Sequence, residues 1–217
     1  MPQPPTAEVA QNPDSARSER LRPEEQLARW GLRQHRQVTT AQLRAVGWDS
    51  SLVHDRVLQT RLHAVFAEVY SLGGPPRTDR EWWMAPVLTF GTGTKLSHSP
   101  AVELYGWLRY ALRQLHVTTT TKRDPRDGIV PHHRERPVRW RYVDGIPVTS
   151  PEQTVLDCAT TIRSDKAYRR IVRQAQVDEV TSHARLVAFA ALSRGARGVA
   201  RMTVSYTHLT LPTICSV

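Results

Sequence analysis

The chain has 217 residues, with 30 Lys and Arg against 20 Asp and Glu, long enough for one large or two small domains and basic enough to favour a polyanionic partner. Only Cys158 and Cys215 are present, which excludes a disulfide framework and, with no CxxC or Cys/His cluster at zinc spacing, leaves no metal or other cofactor to expect. No apolar run of about 18 residues and no signal peptide occur, so a cytoplasmic protein without a membrane partner is expected.

Residues 1–22 are rich in Pro, Gln, Ser and charge and poor in large apolar groups. Burial cannot offset their ordering entropy, and a disordered leader is expected. Pro23-Glu24-Glu25 has the chemistry of a helix start, with acids at the positive end of the dipole. Leu27, Trp30 and Leu32 are its candidate packing residues.

Residues 38–74 read as helix, tight turn, helix and hairpin. Thr39 or Thr40 can cap a short helix through Ala41, Gln42, Leu43 and Arg44, which Gly47 ends. Asp49 and Ser50 offer a second cap. Leu52, Val53 and Val57 then repeat at helical spacing, leaving Ser51, His54, Asp55 and Arg56 on the other faces. Residues 62–72 alternate as a two-stranded ribbon would, and Gly73-Gly74-Pro75-Pro76 stops it. A helix-turn-helix followed by a hairpin is a winged helix, whose second helix enters the major groove. The candidate DNA contacts are Thr39, Thr40, Gln42, Ser50, Ser51, His54, Asp55, Arg56 and Arg61, with Arg56 the strongest for guanine or phosphate. Residues 24–72 carry six Arg against five acids, so local charge alone does not decide the matter. Winged helices also dock proteins.

Beyond the hairpin, residues 78–90 predict a helix dense in Trp82, Trp83 and Met84, kinked or ended by Pro86. Gly91-Thr92-Gly93 lacks the spacing of a phosphate loop. Residues 96–107 predict another helix. Ser97-His98-Ser99 within it suggests an N-cap rather than a nucleophile and base, since neighbours on a helix diverge. Residues 115–148 change to strand texture. There Arg139 and Arg141 alternate with Trp140 and Tyr142, predicting one basic and one dry face. His132 and His133 lack further ligands in sequence, so no metal site is expected.

A hydroxyl at Thr149 or Ser150, then Pro151 and Glu152, starts a helix that buries Val155, Leu156 and Ala159. Cys158 among these apolar residues should be an inert thiol. Residues 163–201 predict one or two helices with nine basic side chains against three acidic ones. No lysine completes a nuclease pattern, because Gly93, Thr120 and Ser164 stand two positions before Lys95, Lys122 and Lys166. No catalytic residue is assigned, and the chain as written is expected not to be an enzyme. Residues 204–217, beginning VSYTHL, read as a translated sequencing adapter. That suggests a gene interrupted near Met202 or Thr203.

Several of these segments carry a resemblance. RQHRQVTTAQLRAVG and RLHAVFAEVYSLGG resemble the N-terminal winged helix of AbiEi antitoxins from type IV toxin–antitoxin pairs. KLSHSPAVELYGW and DGIPVTSPEQTVLDCA are similar to later segments of that family, over roughly residues 24–203. Two departures matter. Phe66-Ala67-Glu68 stands where relatives carry a basic wing tip, and Ser50-Ser51 stands where they often carry Arg, so non-specific affinity from this unit should be low.

The resemblance implies an α+β, mainly helical fold: a winged helix-turn-helix over 23–76, then a mixed helix and strand domain over 77–203, truncated at its end. It also implies an operator-binding regulator whose partners are DNA, a nucleotidyltransferase-like toxin and a second copy in a homodimer. Relatives often continue into a very-short-patch-repair-like endonuclease. The alternative is therefore the DNA-targeting part of a nuclease-like protein.

Overall fold

The computed structural model describes residues 22–109 and 114–207. The expected leader falls outside these residues except for Arg22, as do Cys215 and residues 208–217. The fold is α+β, as the sequence implied.

The first six elements are α1 (Pro23–Arg33), β1 (Gln37–Thr39), α2 (Thr40–Ala45), α3 (Ser50–Leu58), β2 (Leu62–Phe66) and β3 (Val69–Leu72). Pro23 opens α1 with Glu24 and Glu25 in its first turn, and the Arg22 amide donates to Glu25 at 3.1 Å. Leu27 is buried and Trp30 partly so, but Leu32 is 86% exposed, contrary to the packing role expected for it. The helix spacing turns Leu32 away from the stripe that Leu27 defines.

Strand β1 was not foreseen. Three residues are too few for a period-two signal, yet β1 pairs antiparallel with β3, Val38 opposite Tyr70. The sheet order is β1-β3-β2. Leu27, Val38, Leu43, Val53 and Leu62 form the core of this region.

Helix α4 (Asp79–Phe90) follows, capped by Thr78, whose hydroxyl accepts from the Glu81 amide at 3.3 Å. It runs on through Pro86, so the helix does not end there as the sequence allowed. The ring removes one N–H from the ladder, and burial of Trp83, Met84, Ala85, Pro86, Val87 and Phe90 outweighs that loss. One flank of α4 packs on the first sheet and the other on a second sheet. Buried Glu81 ties the two regions together: it pairs with Arg36 at 3.3 Å and accepts from the Arg77 amide at 2.6 Å. His35 Nε2 also lies 2.6 Å from the Asp144 carbonyl oxygen, and Arg80 Nε donates to the Asp144 carboxylate at 2.7 Å.

The second sheet comprises β4 (Lys95–Leu96), β5 (Leu115–Thr119), β6 (Ile129–His133), β7 (Trp140–Val143) and β8 (Ile146–Thr149), in the order β6-β5-β4-β8-β7. Pairs β4–β8 and β5–β6 are parallel and the others antiparallel. The single helix expected over 96–107 is instead β4 followed by α5 (His98–Leu104), because Leu96 pairs with both Val117 and Val148. Strand β7 has no dry face. It is an edge strand, and Trp140 and Tyr142 are 45% and 64% exposed.

Helices α6 (Pro151–Thr161), α7 (Asp165–Val177), α8 (His183–Leu192) and α9 (Val199–Thr207) complete the described chain. Ser150 caps α6 by accepting from the Gln153 amide at 3.3 Å. The expected burial of Val155, Leu156 and Ala159 extends to every residue from Pro151 to Ala159. Three helices, rather than one or two, follow Ile162, and α9 closes the core with Met202 and, from the stretch read as adapter, Tyr206 against Leu156, Tyr168, Ile171 and Phe189.

Candidate nucleic-acid interface and a buried histidine cluster

The α2–α3 pair is set by its caps. The Thr39 hydroxyl accepts from the Gln42 amide at 3.2 Å, and the Gln42 side chain accepts from the Thr39 amide at 2.9 Å. This reciprocal box commits the side chains of two proposed DNA contacts, Thr39 and Gln42, to the helix start. Gly47 makes the turn at φ 84°, and Asp49 caps α3 by accepting from the Leu52 amide at 2.8 Å. Leu43 and Val53 pin the two helices to the core, which turns Ser50, Ser51, His54 and Asp55 outward as one exposed polar face.

Arg56 departs from its expected role. It lies in the last turn of α3, half-buried, with its guanidinium 5.4 Å from the centroid of the Trp48 ring and Nη1 donating to Gln59 at 3.4 Å. A cation over an indole face is held there by the ring quadrupole, so Arg56 faces inward in the free protein. Arg61 is exposed at the start of the hairpin, and Thr40 donates its amide to the Glu68 carbonyl at 2.9 Å.

The hairpin tip is seated against the rest of the chain. Glu68 takes a φ of 64°, the Ala67 amide donates to Asp127 at 3.5 Å, and Phe66 meets the Trp82 ring edge-on at 6.3 Å. A cleft of about 970 Å³ runs beside it, from Thr39, Thr40 and Arg44 to Lys95, Arg123 and Arg126. Lys95 donates to the Gly93 carbonyl at 2.7 Å, and burial lowers its pKa.

A second constellation was missed in the sequence. His98 from the first turn of α5, His116 from β5 and His132 from β6 place ring nitrogens within 4.8 Å of one another. His116 and His132 fall on one face of the parallel pair, since His116 is opposite Val130 and His132 opposite Thr118. Their rings meet through His116 Nδ1 and His132 Nε2 at 2.9 Å, and His98 stacks on His132 with centroids 3.7 Å apart.

The expectation that His132 lacks companion ligands is thus corrected. The Ser97-His98 reading is corrected as well. His98 adopts φ 56°, so its ring turns back to the Ser97 hydroxyl, Oγ to Nδ1 2.9 Å, and Ser97 makes no capping bond. No sequence signal gives the strand register that joins His116 to His132.

Burial, with the neighbouring rings and Arg134, holds His98 well below the usual imidazole range. Burial also lowers His116, and burial, then His116 and Arg134, bring His132 to about 4. Arg134 itself is drawn to buried Asp157 at 2.9 Å. Burial raises Asp157 to about 6 against the opposing effects of Arg134 and a Gln153 hydrogen bond at 2.8 Å. The thiol of Cys158, wholly buried, is pushed up by burial and by Asp157, which keeps it protonated.

Among the described residues no helix is long and apolar enough to cross a membrane. No curated protein matches the chain. Residues 96–204, half of its length from β4 into α9, match the AbiEi antitoxin C-terminal domain. The regulatory proteins of that family are antitoxins of type IV toxin–antitoxin systems, and this chain belongs to the AbiEi antitoxin family.

Proposed function

We propose that this antitoxin represses its own promoter, with residues 23–76 acting as a winged helix that lays α3 in the major groove. One observation carries the reading: the outward face of α3, with Ser50, Ser51, His54 and Asp55, is exposed beside Arg61 on a helix pair joined to the family domain. Short hydroxyl and imidazole groups on such a face can bond base edges, while Arg61 and Arg44 supply phosphate contacts. Arg123, beside the cleft, extends the cationic strip past α2. The low charge around α3 fits a reader that draws its affinity from the whole surface rather than from this helix alone.

In this reading two copies occupy an inverted repeat as a homodimer. Residues 77–203 serve the dimer contact and a nucleotidyltransferase-like toxin, and the chain itself performs no catalysis.

The test is fluorescence anisotropy with promoter DNA from the chain's own locus, against scrambled DNA of equal length. Replacing Ser51 and His54 together by Ala weakens operator binding by about 1 to 3 kcal/mol and leaves scrambled DNA almost unaffected. Arg61→Ala weakens both and reduces the salt slope by about 1. Arg56→Ala costs less than Arg61→Ala, because Arg56 must leave Trp48 before it can reach DNA. Equal binding of operator and scrambled DNA by the wild-type protein would remove the reading.

A further inference from the structure

The geometry points to a binding site for a zinc-class divalent cation formed by His98, His116 and His132, with a fourth position left open to water. Neutral imidazole is a favoured ligand of such ions, and three features of the cluster fit one.

The first is the approach of two ring nitrogens with nothing but a proton between them. His116 Nδ1 and His132 Nε2 lie 2.9 Å apart. Two imidazole nitrogens on a tetrahedral ion at about 2.0 to 2.1 Å stand roughly 3.3 Å from each other. An opening of a few tenths of an ångström therefore lets an ion replace the shared proton, and His132 remains neutral by carrying its hydrogen on Nδ1.

The second is the set of bonds on the far sides of the rings. His116 Nε2 faces the Gln114 side-chain oxygen at 3.3 Å, and His98 Nδ1 faces Ser97 Oγ at 2.9 Å. Donation to those oxygens fixes the tautomers so that His116 Nδ1 and His98 Nε2 carry the free lone pairs. Metal-bound histidines are oriented by outer partners of this kind.

The third is the cost built into His98. A non-glycine residue with φ 56°, only 1% exposed, is held in a left-handed conformation that the fold must stabilise elsewhere. That conformation brings its ring against His132, stacked at 3.7 Å, and a turn of the His98 ring out of the stack lets its nitrogen share an ion with His132. His132, partly exposed, leaves a route for the ion to enter. Arg134, whose charge would oppose a cation, is paired with Asp157.

The experiment uses the full chain without a polyhistidine tag, stripped with EDTA and titrated with Zn²⁺ alone by calorimetry. About one ion per chain is expected. His132→Asn should weaken binding by about 10-fold or more, and Ser97→Ala, which removes only an outer partner, by about 10- to 100-fold. His133→Asn, altering the exposed neighbour, should leave it unchanged.

Wild-type affinity no tighter than that of His132→Asn, or an equal loss in His133→Asn, overturns the proposal. Should His132→Asn lose its native circular dichroism, zinc-edge X-ray absorption of the loaded wild type decides instead. Three imidazole ligands support the site, and two or fewer overturn it.

Discussion

Asp157 offers a direct measure of which force governs the interior of the second half of the molecule. Its carboxylate is completely buried, one oxygen accepts from Arg134 and Gln153, and the other, Oδ2, is buried without a hydrogen bond. Desolvation outweighs these partners and raises the group from 3.8 to about 6. When ionised it therefore costs the native state about 3 kcal/mol relative to an ordinary carboxylate.

The sign follows from proton uptake. With the folded pKa above the unfolded value, the native state binds more protons between about 3.8 and 6, so this group adds stability as pH falls through that window. Between pH 7 and 5 the gain is about 1 kcal/mol. Urea denaturation of the wild type and Asp157→Asn at pH 7, 6 and 5 isolates it, because every other titrating group is common to both. The stability difference, wild type minus variant, should rise by about that amount on acidification. A flat difference would show that Arg134 and Gln153 balance burial, and one that falls would show that they outweigh it.

Gly198 precedes α9 at φ 89°, and a Cβ there would meet Ala159 Cβ at 2.9 Å and the Leu156 carbonyl oxygen at 3.2 Å. Gly198→Ala should cost about 2 to 5 kcal/mol, from left-handed strain plus overpacking, whereas Gly195→Ala, at φ 82° with open space, costs about 1 to 2 in the same thermal melts. Thr39→Ala removes the cap of α2 and should cost about 1 kcal/mol in urea, largely restored by Ser. Equal stability of Ala and Ser would refute the capping role.

Legibility in the sequence followed the range of the interaction. The helix pair, the hairpin and the start of α6 were readable from local signals, with each cap narrowed to two adjacent residues, of which the structure selects Thr39, Asp49 and Ser150. The three-residue strand β1 and the break between Leu96 and His98 were not, because pairing with distant Tyr70 and Val148 creates them. Trp140 and Tyr142 misled for the same reason: alternation marks two faces, but only the strand order shows β7 at an edge. At the candidate sites, the outward face of α3 was legible from helical spacing. The inward turn of Arg56 was not, since it depends on a ring eight positions away. The histidine cluster was hidden altogether, its members brought together by a parallel register and a left-handed backbone at His98.

Helix α4 leaves no slack between the two sheets. Gripped on one side through Glu81 and Arg36 and on the other by the core around Val148, it makes the body of the protein a ruler rather than a bead on a string. In the proposed homodimer, two copies on an inverted repeat would then meet the duplex at a separation set by the dimer contact, with no tether within either chain to absorb a change in spacing. Inserting about five base pairs between the half-sites turns the second groove to the opposite side of the helix and should abolish paired binding, while about ten restore the face. A protein with a loosely strung reading head would tolerate both.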